Sequence, residues 1–217
     1  MKLNLFYGAL AAFFVLTLSN AIAQTSSIKA EALLDSVYSK MSRYDHVSLE
    51  FEYVLENKEA DIRQSTPGKV YISGSKYRLE LFGSTQLFDG STTYSIIPEN
   101  QEVVITPASR TDESGQINPS ELFSFYKEGY RIEDGVEWSV NQAEVVLYPI
   151  DSEAEIEKVI AKIDPLNYRI NALVQFGFNQ TQTTITVTQY DTDSSVDQSL
   201  FVFDKAAYES QGFYIIE

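Results

Sequence analysis

The sequence predicts an α+β protein: an incomplete, half-open antiparallel β-barrel of about 10–11 strands, with helices covering the concave face. Three observations predict it. Over residues 68–105, apolar runs alternate with the turn signals Asp89-Gly90 and Pro98-Glu99-Asn100, as in an antiparallel meander. Elsewhere several runs alternate apolar and polar residues with period two, which gives the sheet one greasy face. Only two stretches, residues 28–41 and 119–130, read as helices. So many strands with one apolar face cannot stay flat, so the sheet curls and the helices cover its concave side.

The chain opens with Lys2, an apolar stretch over residues 3–18, and Ala21-Ile22-Ala23 before Gln24. Small residues at these positions fit cleavage after Ala23, so residues 1–23 are expected to be a signal peptide that is removed. The stretch is short for a membrane span. Residues 24–217 are then expected to form a single exported domain. The chain has no cysteine, so that domain is held by packing alone and has no lipidated cysteine. The formal charge of −15 becomes −16 once Lys2 leaves. Such a surface repels phosphate backbones and anionic headgroups, which argues against nucleic acid and against a basic membrane patch.

Within residues 28–41, Leu33, Leu34, Val37, Tyr38 and Met41 form a helical stripe, and Ser26 or Ser27 can cap its start. Residues 47–55 read as a strand. Val47, Leu49, Phe51, Tyr53 and Leu55 lie on one face, and Glu50, Glu52 and Glu56 on the other. A polar loop through Pro67 leads to the meander, where Tyr77, Leu79 and Leu81 share one face and Arg78, Glu80 and Phe82 the other. After Ile105 comes a polar loop, then the aromatic helix of residues 119–130 with Pro119 at its start. That helix can be a movable lid or a fixed plug. Further strands are expected at 144–148, 156–163, 168–178, 181–190 and 199–203. In the third of these, Tyr168, Ile170, Ala172, Val174, Phe176 and Phe178 are expected on one face.

Little here resembles catalytic chemistry. His46 is the single histidine and has Asp45 beside it, but no Ser-centred motif accompanies the pair. Asp191, Asp193 and Asp197 have a loosely calcium-like spacing, without the central Gly and terminal Glu of an EF-hand loop. Phosphate-binding glycine motifs and G-x-S-x-G are absent. Asn179-Gln180-Thr181 matches a glycosylation sequon. No enzyme, metal or cofactor is expected. A container or binding surface is, with the greasy face either plain core or the wall of a ligand cavity.

Several short motifs resemble the LolA-type periplasmic lipoprotein carriers. Leu33-Leu34-Asp35-Ser36-Val37 through Tyr44, then Ser48-Leu49-Glu50-Phe51, look like that family's opening helix and first strand. Gly68-Lys69-Val70-Tyr71-Ile72 looks like its next strand. Phe88-Asp89-Gly90 with Tyr94 and Pro98 looks like its hairpin, and Phe201-Val202-Phe203-Asp204 like its C-terminal strand. The family's Arg-Pro is replaced by Gly74-Ser75, with Lys76 and Arg78 nearby.

The resemblance implies an eleven-stranded incomplete barrel with a helical lid. It implies a soluble, monomeric periplasmic carrier that shields lipoprotein acyl chains and moves them from an inner-membrane exporter to an outer-membrane acceptor. Leu33, Val37 and Met41 of the first helix, Phe51, Tyr53, Leu79 and Leu81 of the strands, and Phe123 and Tyr126 of the lid are the expected cavity residues. The alternative is a lipid-sensing periplasmic module that binds a membrane regulator. A His46-based hydrolase is a third reading.

Overall fold

The computed structural model describes residues 27–108 and 118–217. The expected signal peptide and most of the polar loop after Ile105 lie outside these residues. Among them, no helix is long and apolar enough to cross a membrane.

The chain begins with α1 (Ile28–Met41). The strands β1 (Val47–Asn57), β2 (Ile62–Ser73), β3 (Lys76–Leu81), β4 (Ser84–Phe88), β5 (Thr92–Ile97) and β6 (Glu102–Pro107) follow. Two 3-10 turns, Pro119–Glu121 and Phe125–Lys127, precede β7 (Tyr130–Trp138), β8 (Ala143–Pro149), β9 (Ile156–Asp164), β10 (Arg169–Gly177) and β11 (Thr181–Asp191). A 3-10 turn at Gln198–Phe201, α2 (Lys205–Ser210) and β12 (Tyr214–Ile216) complete the chain. Twelve strands form one open sheet in the order β12-β6-β5-β4-β3-β2-β1-β11-β10-β9-β8-β7. Every pairing is antiparallel except β12 with β6.

Local chemistry sets these boundaries. Ser27 Oγ accepts the Ala30 amide at 3.3 Å and caps α1. Ala30, Leu33, Leu34, Val37 and Met41 are buried on that helix and join the core of β8 and β9, where Val145, Leu147, Ala161 and Ile163 are fully enclosed. Tyr38 departs from the expected stripe. It is exposed, and the Lys127 ammonium lies 3.3 Å from the centre of its ring.

The strand count and several segments differ from the sequence reading. The sheet has twelve strands rather than 10–11. Residues 62–67 are not loop but the first half of β2, paired along β1 from Asn57–Ile62 to Glu52–Pro67. Pro67 is tolerated there because β3 pairs with β2 only from Lys69 onward, so no second neighbour needs its missing N–H. The β4–β5 turn is centred one residue later than Asp89-Gly90, on Gly90 and Ser91, because Phe88 faces Thr93.

The aromatic stretch at 119–130 is two 3-10 turns, and Tyr130 already begins β7, which the sequence reading missed. In β10 a register shift between Ile170 and Ala172 reverses the alternation. Ile170 and Leu173 join the main core, while Ala172 and Val174 are buried apart from it.

The expected strand at 199–203 is instead a 3-10 turn capped by Asp197, followed by α2 capped by Asp204. This tail packs on the meander. Tyr94 stacks on Phe203 at 4.4 Å, Phe203 on Tyr208 at 5.3 Å, and Phe213 meets Tyr208 edge-on at 5.2 Å. Leu87, Ile96, Val103 and Phe201 are buried outside the main core cluster, so the sheet has more than one greasy surface.

Candidate functional site

An apolar cavity of about 150 Å³ lies where β1, β3, β10 and β11 converge. Alternation on β1 sends Leu49, Phe51 and Tyr53 toward it, and β3 adds Leu79 and Leu81. The shifted phase of β10 adds Ile170 and Leu173, β11 adds Ile185, Val187 and Tyr190, and β2 adds Val70. Pro119 and Leu122, from the segment with the 3-10 turns, close it.

Two tyrosines stand in this wall, Tyr53 and Tyr190, and the Tyr190 hydroxyl has a backbone partner. The buried Tyr190 hydroxyl donates to the Ile170 carbonyl at 2.7 Å. Burial pushes its pKa up, so the phenol stays protonated, and the Arg169 guanidinium lies 5.0 Å from its ring centre. The cavity therefore offers hydrocarbon surface and fits an apolar group.

Of the expected cavity residues, the structure places Phe51, Tyr53, Leu79 and Leu81 on this wall. Leu33, Val37, Met41, Phe123 and Tyr126 lie instead in the packed core around it. Tyr126 ties the 3-10 segment to the helix: its hydroxyl donates to Asp35 Oδ1 at 2.6 Å. Desolvation, then the Asp35 bond, push this phenol's pKa up. The expected set lacked Leu49, Val70, Pro119, Leu122 and Ile170 of this wall, and also Leu173, Ile185, Val187 and Tyr190. Ile185 and Val187 were visible only as strand formers, and Leu173 was hidden by the bulge in β10.

On the other side of β1–β3 lies a larger open cleft of about 540 Å³, bordered by Glu50, Glu52, Lys69 and Glu80 and by the Phe82-Gly83 turn. Lys69 Nζ pairs with Glu50 at 2.9 Å, and that hydrogen bond raises the Lys69 pKa. Phe51 and Leu81 border both the cleft and the apolar cavity.

Asp191 and Asp197 are used as local turn and helix caps. Asp191 Oδ1 accepts the Asp193 and Ser194 amides, and Asp197 accepts the Ser199 amide. Hydrogen bonds from these partners lower both carboxyl pKa values, Asp191 through Ser194 and Asp197 through Ser199. Among the described residues, no group of three His, Cys, Asp or Glu is placed to hold a metal ion. Asp45 is exposed, and no hydrogen bond joins its side chain to His46 among the described residues.

The fold and cavity define an open, mostly antiparallel sheet that encloses a small hydrocarbon-lined space. No family model and no curated protein matches the chain. Among solved structures it is similar to an uncharacterized conserved protein from Thermus thermophilus. That match has 12% identity and a TM-score of 0.52, over 82% of this chain and 96% of the other, and it shows a shared fold. Two further solved structures are similar over most of the chain. One, from Vibrio parahaemolyticus, is described as an outer membrane lipoprotein-sorting protein domain (13% identity, TM-score 0.46, 83% of this chain and 99% of the other). The other is a LolA superfamily protein from Nitrosomonas europaea (9% identity, TM-score 0.45, 80% of this chain and 97% of the other).

Proposed function

We propose that this protein is a periplasmic acyl-chain carrier. It is exported by cleavage after Ala23 and acts as a single soluble, monomeric domain of residues 24–217. It shields lipoprotein acyl chains between an inner-membrane exporter and an outer-membrane acceptor. The twelve-stranded sheet acts as a half-open barrel, with α1 and the 3-10 segment on its concave side.

The observation that carries this reading is the apolar cavity, closed on one side by Pro119 and Leu122. Each methylene buried there contributes about 0.8 kcal/mol, so an acyl chain binds by burial, with no charged contact required. At about 150 Å³ the resting cavity is smaller than typical ligand sites, which span roughly 300–1,000 Å³. Loading therefore requires the Pro119–Leu122 wall to move. That segment is short and made of 3-10 turns, so its displacement leaves the sheet ladders intact.

The same small volume favours a second reading, a lipid-sensing module in which one chain alters binding to a membrane regulator. Native mass spectrometry of the protein purified from its own periplasm tests both. A mass increment matching a triacylated lipoprotein supports the carrier. A single free-lipid adduct moves the function to sensing. A chain that stays bare after incubation with detergent-solubilised lipoprotein means that the cavity is only a packing defect.

A further inference from the structure

We propose that hydrocarbon chains enter the cavity through the notch between the Phe82-Gly83 turn and the first half of β2. Phe82 gates this mouth, and the ligand's uncharged or cationic polar end is left in the outer cleft beside Lys69. This inference rests on the acyl-binding reading above.

The notch comes from unequal strand lengths. β1 and β2 run for 11 and 12 residues, but β3 and β4 for only 6 and 5. The β2–β3 ladder stops at Lys69–Glu80, so Pro67 and Gly68 have no partner on that side. Gly68 leaves the gap open at its edge. A Cβ there would run into the Phe51 ring and lie 3.1 Å from Leu81 Cδ1, so these two side chains fill the space a larger residue would occupy. Both border the cavity inside and the cleft outside. What separates the two spaces at the notch is therefore side chain, which rotates, rather than a hydrogen-bonded ladder.

Phe82 is placed as a gate. With φ of 53° beside Gly83 at 71°, it stands where a tight hairpin favours Asn or Gly, and it is 57% exposed. Turn geometry gives no reason for a phenylalanine. Its ring does, meeting Tyr53 edge-on at 5.0 Å, and Tyr53 is cavity wall. The cleft outside has three carboxylates, Glu50, Glu52 and Glu80; Lys69 pairs with Glu50 at 2.9 Å and Arg78 with Glu80 at 2.8 Å, which leaves Glu52 in excess. That balance disfavours an anionic polar end.

The test is stopped-flow release of a pyrene-tailed monoacylglycerol from the purified protein to phosphatidylcholine vesicles. Phe82→Asn suits the turn and is expected to fold with no loss of Tm. Removing the edge-on aromatic contact should speed release about 2- to 10-fold. Phe82→Tyr should keep the slow rate and controls for folding. Unchanged release from Phe82→Asn, with normal binding by the wild type, overturns the gate and leaves the acyl-binding reading standing. No binding of the probe by the wild type overturns both. A fatty acid of the same chain length that binds as tightly as the monoacylglycerol overturns the placement of the polar end.

Discussion

The Tyr126 hydroxyl donates to Asp35 Oδ1 at 2.6 Å and fastens the 3-10 segment to the first helix across 91 residues of sequence. This contact holds down the segment that carries Leu122 of the cavity wall. The Lys127 ammonium over the Tyr38 ring reinforces it. Asp35 is exposed, so removing its partner leaves it hydrated rather than stranded.

Tyr126→Phe should therefore cost only the net value of one hydrogen bond, about 0.5–1.5 kcal/mol, or roughly 2–4 °C in Tm per kcal/mol for a domain of this size. Amide exchange over residues 120–127 should quicken while that of β8 and β9 stays unchanged. Asp35→Ala instead strands the buried Tyr126 hydroxyl and should cost more, about 1–3 kcal/mol, and adding Tyr126→Phe to it should recover part of that loss. Fully additive losses would show that the two groups act separately.

Leu79→Glu places a carboxylate on the wall of a cavity that otherwise offers hydrocarbon. The variant should fold with a stability loss of about 1–3 kcal/mol, since Leu79 is only partly buried. Its affinity for an acyl probe should fall at least tenfold. Phe178→Glu, at a position already 69% exposed, should bind normally. Equal binding by Leu79→Glu, measured by fluorescence titration, would remove the cavity from the function.

The sequence was most readable where one pattern dominated. α1 carried a buried stripe with Ser27 as its cap, and β1 alternated cleanly from Val47 to Phe51. Phe51, Tyr53, Leu79 and Leu81, which alternation put on the apolar faces of their strands, border the apolar cavity. β7 was hidden because an edge strand tolerates the polar run Glu133-Asp134-Gly135-Val136-Glu137. The alternation of Phe201-Val202-Phe203 imitated a strand, but capping by Asp197 and Asp204 breaks it into a turn and a helix start. In β10 no local signal marks the register shift that swaps Ala172 for Leu173 on the inner face. Contacts between distant segments, such as Tyr126 with Asp35, leave no pattern at all.

Two glycines should respond differently to a methyl group. At Gly68 the obstacle is the far edge of the Phe51 ring, and the cavity beside it can take the displaced ring. Gly68→Ala should cost about 1 kcal/mol or less and weaken acyl binding, because the ring then occupies ligand space. Phe51→Leu in the same chain should restore part of the binding. At Gly135 the obstacles are the Glu144 carbonyl oxygen at 2.8 Å and carbonyl carbon at 2.9 Å, which are backbone and cannot rotate away. Gly135→Ala should cost more, about 1–3 kcal/mol, without a specific effect on binding. Urea melts and probe titrations separate the two. A larger stability loss at Gly68 than at Gly135 would contradict the assignment.

The raised phenol pKa values make the fold less stable at alkaline pH. Burial pushes up Tyr190, and burial followed by the Asp35 hydrogen bond pushes up Tyr126. Both groups are held protonated in the folded chain, whereas in the unfolded chain they ionise near their ordinary value of about 10. The unfolded state then binds fewer protons than the folded one once the pH passes 10, so stability falls as pH rises. The contribution is complete below that pH and is lost progressively toward the folded pKa of each phenol. Tyr190→Phe removes a phenol that must lose a proton on unfolding, so it should flatten the decline measured by urea melts between pH 9 and pH 11. At pH 7 the same variant loses the hydrogen bond to the Ile170 carbonyl and should be about 1 kcal/mol less stable. The two curves should therefore converge as pH rises. Parallel curves across that range would mean that Tyr190 ionises equally in both states and that the cavity wall is wetter than its apolar lining implies.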